Sequence, residues 1–180
     1  QESRGLGDVY KRQGDGKYLQ IFELMKNDLR LVTADYLGID PNQPFDPESF
    51  VLSKRFDILG TYEAYKKFHV EEDGIPKTED LLWTIVSTYT DWKVELTSSI
   101  DMELSVLEAN TKRGSGQKET LPAGTHFVLL KTDGEAYAEA MLDDGRICEF
   151  ELEHPSEDEW EGRINGVSIS DCFEYVPYAG

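Results

Sequence analysis

The stretch Thr120–Gly145, TLPAGTHFVLLKTDGEAYAEAMLDDG, decides the fold class. It holds two short apolar runs, Gly124–Lys131 and Ala136–Leu142, and a third, Arg146–Glu153, follows at once. Thr132-Asp133-Gly134 and Asp143-Asp144-Gly145 separate the three. A short Asp-Gly connection between such runs is a strong hairpin signal. Glycine reaches the left-handed backbone that these turns demand, and aspartate bonds its own backbone two residues on. The stretch therefore predicts an antiparallel meander.

The same pattern extends in both directions. Tyr18–Met25 (YLQIFELM) and Leu29–Tyr36 (LRLVTADY), with Lys26-Asn27-Asp28 between them, read as a hairpin. Gly38–Glu48 carries Pro41, Pro44 and Pro47 and reads as a loop. Ser49–Asp57 and Thr61–Val70 are strand-like, and Glu72-Asp73-Gly74 is a turn. Tyr62, Tyr65 and Phe68 recur at near-helical spacing, so helix competes over Leu59–Phe68; strand is the reading adopted. Leu81–Ser87 and Trp92–Thr97 are strands by composition, and Asp101–Glu108 follows. Asn110–Lys118 (NTKRGSGQK) and the acidic His154–Glu161 are loops, and Val167–Tyr178 closes the chain as a last strand or two. Many short strands and few helical segments predict an all-β fold. Residues 14–92 form a β-rich N-terminal region, a partial sandwich or propeller-like remnant. Residues 93–180 form a small barrel.

The 180 residues carry a formal charge of -18. A surface of that sign repels nucleic acid and anionic lipid and attracts cations. Apolar runs are interrupted within a few residues, far short of the ~20 that a transmembrane helix needs.

Two resemblances add to this reading. Leu121-Pro122-Ala123-Gly124-Thr125, the apolar Val128–Leu130, the Thr132-Asp133-Gly134 turn and the aromatic Tyr137 together resemble bacterial SH3-like (SH3b) domains. That family usually has a tryptophan near the position of Tyr137 and a Gly-Trp pair after the last turn, where this chain has Gly145-Arg146-Ile147. Gly145-Arg146-Ile147-Cys148 and the ending Ile164-Asn165-Gly166…Cys172-Phe173-Glu174…Tyr178-Ala179-Gly180 are similar to the tail of exported proteins and lipoproteins of gut Firmicutes. This second resemblance implies a bacterial envelope protein, extracellular or at the cell surface, and no particular chemistry. Ser3–Gln13 (SRGLGDVYKRQ) resembles a translated sequencing adapter, which implies a metagenomic origin and a segment, 1–13, that adds nothing to the fold.

Candidate chemistry is sparse. Asp15, in Gly14-Asp15-Gly16, fits either a plain turn or the end of a calcium loop whose other carboxylates would lie upstream. His69, His126 and His154 lack close-spaced metal partners, so no metal site and no cofactor is expected. Cys148 shares a strand face with Phe150 and Leu152, and Glu149 and Glu151 oppose thiolate formation, which argues against a catalytic cysteine. Cys148 and Cys172 are disulfide candidates in an exported chain, with two buried thiols as the alternative.

Aromatics carry the remaining signal. Trp160, Tyr137, Tyr175 and Tyr178 are the candidate binding residues; core is the competing reading, for Tyr137 and Phe173 in particular, and Trp160, set in an acidic loop, is the least core-like. In SH3-like folds such residues line a groove for extended peptides or glycan stems. The expected function is a non-catalytic binding module of an exported envelope protein, with peptidoglycan or an envelope peptide as partner. The alternative is an accessory domain of an enzyme whose catalytic part lies upstream.

Overall fold

A computed structural model describes residues 18–25, 28–37, 46, 48–71, 76–85, 94–108, 114, 116–153 and 162–178, with residues 18–37 described by their backbone alone. Residues 1–13, Asp15, His154 and Trp160 lie outside the described residues. The chain divides into two compact units, Gln1–Lys54 with Tyr65–Leu81, and Arg55–Ala64 with Leu82–Gly180. One change from the first unit to the second falls between Leu81 and Leu82.

In the first unit, β1 (Tyr18–Met25) and β2 (Asp28–Leu37) form the expected hairpin. Its register runs from Tyr18↔Tyr36 to Met25↔Asp28, with an irregularity between Ile21 and Phe22. The next strand, β3 (Phe50–Asp57), joins β2 through Tyr36↔Ser53 and Leu37↔Leu52. Beyond it, β4 (Thr61–Val70) pairs with the two-residue β5 (Pro76–Lys77) at His69↔Lys77. The rings of Phe50 and Phe68 stack with centroids 6.0 Å apart. Residues 61–70 are a strand, and the competing helix does not form. Tyr62 and Ala64 are buried while Glu63 and Tyr65 are exposed, an alternation of two that a helix cannot produce.

The second unit begins with the ends of β3 and β4 and the turn Ile58–Gly60. Leu59 there is fully buried despite a φ of 56°, a left-handed conformation that costs a non-glycine residue about 1–2 kcal/mol, offset by apolar burial of similar size. The following strands are β6 (Trp83–Ile85), β7 (Glu95–Thr97), β8 (Met102–Leu107), β9 (Gln117–Leu121), β10 (His126–Thr132), β11 (Tyr137–Leu142) and β12 (Ile147–Glu151). The predicted meander is β10–β11–β12, paired antiparallel through Phe127↔Leu142 and Ala140↔Cys148. Both Asp-Gly turns place glycine in the left-handed region, at φ 88° for Gly134 and 86° for Gly145.

Around the meander runs one long bent hairpin. His126↔Thr97 and Val128↔Glu95 pair β10 with β7, and Met102↔Leu121 to Val106↔Gln117 pair β8 with β9 in the same register. One half lies along β10, and the other joins β12 through Cys148↔Val106. The small barrel expected over residues 93–180 is not closed: the sheet is open, and its two ends are linked by the hairpin bending through its middle. At that corner Pro122 has no N–H to give to a ladder. Ser98 N donates to Thr125 O at 2.9 Å, Gly124 N to Ser98 O at 2.8 Å, and Ala123 N to Asp101 Oδ1 at 2.8 Å.

Inside the curve, Leu96, Met102, Leu104, Val106, Leu121, Leu129, Ala138, Ala140, Cys148 and Leu152 pack around three phenylalanines. Phe127 meets Phe150 at 5.3 Å and Phe173 at 6.1 Å, and Phe150 meets Phe173 at 5.9 Å, all edge-on, the arrangement that aromatic quadrupoles favour.

The final segment differs from the expected one or two strands over Val167–Tyr178. β13 (Arg163–Ile164) and β14 (Val167–Ser168) form a tight hairpin on Asn165-Gly166, whose φ angles of 52° and 78° suit the left-handed turn. A single helical turn, α1 (Ile169–Cys172), follows and buries Ile169 and Cys172. Ser99 N donates to Cys172 O at 2.8 Å and Glu174 N to Thr97 O at 2.9 Å, so this segment lies along β7. Among the described residues no helix is long and apolar enough to cross a membrane.

Candidate functional site

Past Phe173 the chain runs without regular structure from Glu174 to Tyr178, as a strap held by its backbone. Besides the Glu174–Thr97 bond, Pro177 O accepts from Thr61 N at 2.9 Å, and Gly60 packs so close to Pro177 that an added Cβ would stand 3.1 Å from the proline ring. Between these two anchors Tyr175 is 71% exposed. Tyr178, at the strap's end, is half-buried. A large aromatic ring in water on an immobilised backbone costs little ordering entropy when a ligand stacks on it.

The other candidates are placed differently. Trp160 lies outside the described residues. Tyr137 is buried, and its hydroxyl donates to Glu149 Oε1 at 2.7 Å, so it is a structural ring with no free stacking face. Cys148 and Cys172 are both buried and are not joined in a disulfide. The sulfurs turn to different carbonyls, Cys148 Sγ to Ala140 O at 3.5 Å and Cys172 Sγ to Val167 O at 3.7 Å. Burial pushes the Cys148 thiol up to about 12, which leaves it almost wholly protonated at neutral pH and removes it as a nucleophile.

Sequence reasoning missed a polar row on the outer face of the sheet. Lys118, Ser105, Glu149, Glu139 and Lys131 are successive cross-strand partners on β9, β8, β12, β11 and β10. Glu149 is 5% exposed, although the neighbouring Cys148 and Phe150 fill the inner face. Its carboxylate accepts from Ser105 Oγ and from Gly114 N, both at 2.8 Å, and from Tyr137. Gly116 packs against Ser105 and Val106 so closely that any Cβ would collide, which brings the loop backbone down over the carboxylate. Alternation alone assigns Glu149 to solvent; the Gly-Ser-Gly of the preceding loop was the one clue that backbone approaches here.

Of the histidines, His126 bonds Asp143 Oδ1 through Nδ1 at 2.8 Å and faces Glu95 at 3.7 Å through Nε2. His69 lies 3.8 Å from Glu71. Among the described residues no group of histidine, cysteine and carboxylate side chains is arranged to hold a metal. Compared with protein families, curated proteins and solved structures, the chain matches none of them.

Proposed function

We propose that the second unit is a non-catalytic binding module of an exported bacterial envelope protein, taking an extended peptide or a glycan stem of the cell wall. The observation that carries this reading is Tyr175, 71% exposed on a strap whose backbone is fixed on both sides of it. A ring so placed has no packing role, and stacking on a sugar face or a rigid peptide is the use that its chemistry suits. The resemblance of Leu121–Tyr137 to bacterial SH3-like domains supports the same reading, and the charge of -18 favours partners with exposed amines.

Retention on purified peptidoglycan, at low and high salt, tests this. Wild-type protein is expected to be retained with a salt-resistant component, and Tyr175→Ala to lose that component, because stacking is little screened while charge attraction fades beyond the Debye length of about 8–10 Å. Absence of retention at either salt overturns the wall-binding reading. Turnover of the wall material in place of binding would establish an enzyme.

A further inference from the structure

Asn165-Gly166 is the one Asn-Gly pair in the chain, and both residues are exposed. They form the two-residue turn between β13 and β14, closed by the Ile164↔Val167 pair. Asparagine is a labile side chain, and most so before glycine, whose missing Cβ leaves its amide nitrogen unshielded. That nitrogen can attack the asparagine Cγ. The N–Cγ bond forms, the Cγ–Nδ2 bond breaks, and ammonia leaves with the proton from the Gly166 amide. Water then opens the resulting succinimide at Cγ, giving aspartate, or at the Asn165 main-chain carbonyl, giving isoaspartate. Asparagine and water thus become an aspartyl residue and ammonia.

The fold restrains this reaction. Asn165 has a φ of 52° and Gly166 of 78°, and in the left-handed well of Asn165 ψ is about +30 to +60°. The five-membered succinimide ring holds ψ outside that well, so Asn165 must leave the turn before the ring closes. Its side chain is tethered as well: Asn165 Nδ2 donates to Glu103 O on β8 at 2.7 Å. Bringing Cγ onto the Gly166 nitrogen swings Nδ2 off that carbonyl. Arg163 Nη1 braces the same turn by donating to Gly166 O at 3.3 Å. The amide that the reaction consumes is therefore one that ties the small β13–β14 sheet to the larger sheet. Aspartate has an acceptor where that donor stood, so a carboxylate would face the Glu103 carbonyl. Isoaspartate also adds a methylene to the backbone of a two-residue turn, whose length sets the strand register.

We propose that Asn165 is a site of spontaneous deamidation, guarded in the folded chain by its left-handed turn and its bond to Glu103 O, and that the modified residue loosens the β13–β14 hairpin from β8. The reaction proceeds through local openings of the hairpin, and the product makes such openings more frequent.

The test incubates the full chain in mildly alkaline buffer with and without urea, and peptide mapping by mass spectrometry follows aspartate and isoaspartate at position 165. Deamidation of Asn165 is expected in urea, and at least about tenfold more slowly without it, a barrier difference of about 1.4 kcal/mol. No reaction at Asn165 in urea overturns the site. Equal rates with and without urea overturn the guarding role of the turn and the Glu103 bond. Asn165→Asp supplies the aspartyl product directly, and Asn165→Gly removes the side chain while keeping a residue at ease in the left-handed well. Both variants are expected to unfold at lower urea than wild type, Asn165→Asp at the lower of the two, because it adds a facing charge to the lost hydrogen bond. An Asn165→Asp variant as stable as wild type overturns the loosening.

Discussion

Tyr137 and Glu149 stand on adjacent strands, and the tyrosine hydroxyl bridges two carboxylates, donating to Glu149 at 2.7 Å and lying 3.3 Å from Glu139. Glu139 and Glu149 are direct cross-strand partners, a pairing that like charges disfavour. The hydroxyl, Ser105 and the Gly114 amide together let Glu149 stay buried. Tyr137→Phe is expected to cost about 1.5–3 kcal/mol, the value of a hydrogen bond to a charged group. Urea denaturation measures it, and Glu149→Gln should cost less than Glu149→Ala, since the amide oxygen can still accept from Gly114 and Tyr137 while its NH2 can donate to Ser105 Oγ. A Tyr137→Phe variant as stable as wild type would mean that the hydroxyl contributes nothing to this row.

The two Asp-Gly turns should respond differently to alanine. Gly134 and Gly145 have nearly the same φ, 88° and 86°. A Cβ at Gly134 would overlap the Phe56 ring, whereas one at Gly145 meets nothing within 4 Å. Gly145→Ala is expected to cost about 1–2 kcal/mol from the left-handed backbone alone. Gly134→Ala should cost more by the displacement of Phe56, and paired thermal melts of the two variants give the difference. Equal melting points would show that Phe56 gives way freely.

Cys148 gives a pH signature. Its pKa rises from 9.0 to about 12 on folding because burial disfavours the thiolate. A group with a raised folded pKa stabilises the fold fully below the unfolded value and loses that contribution as pH climbs through the folded one. Stability is therefore expected to fall between pH 9 and about 12, with a shallower fall in Cys148→Ala. Labelling by an aromatic disulfide reagent at neutral pH should be negligible for Cys148 until denaturant is added. Rapid labelling of Cys148 in native protein would contradict its burial.

Phe173 links core and strap. Its ring fills the corner between Phe127 and Phe150, and the next residue begins the strap that carries Tyr175. Phe173→Ala is expected to destabilise by about 3–5 kcal/mol. Phe173→Leu, which keeps most of the volume, should fold and yet bind peptidoglycan more weakly than wild type. Undiminished binding by the leucine variant would show that the strap does not depend on this anchor.

Much of the fold was legible because its signals are local. Asp133-Gly134 and Asp144-Gly145 specify turns by backbone chemistry, and runs such as Val128–Leu130 and Cys148–Phe150 mark strands that have a face to bury. The strand β9 was not legible: Lys118 and Glu119 lie near the sheet's end, where few side chains are buried and no apolar alternation is written. The helical turn Ile169–Cys172 is too short for a period to show. Core was already the competing reading of Tyr137, but nothing in Glu174-Tyr175-Val176 announces that Tyr175 stands in water. Sequence by itself determined the β character, the hairpin turns and the inward set Cys148, Phe150 and Leu152, because those follow from dihedral preference and period-two alternation. Tertiary structure alone decided that the long hairpin bends without closing a barrel and that Glu149 is buried under a glycine loop. Each of these depends on which backbone groups distant segments bring together, and no local preference encodes that.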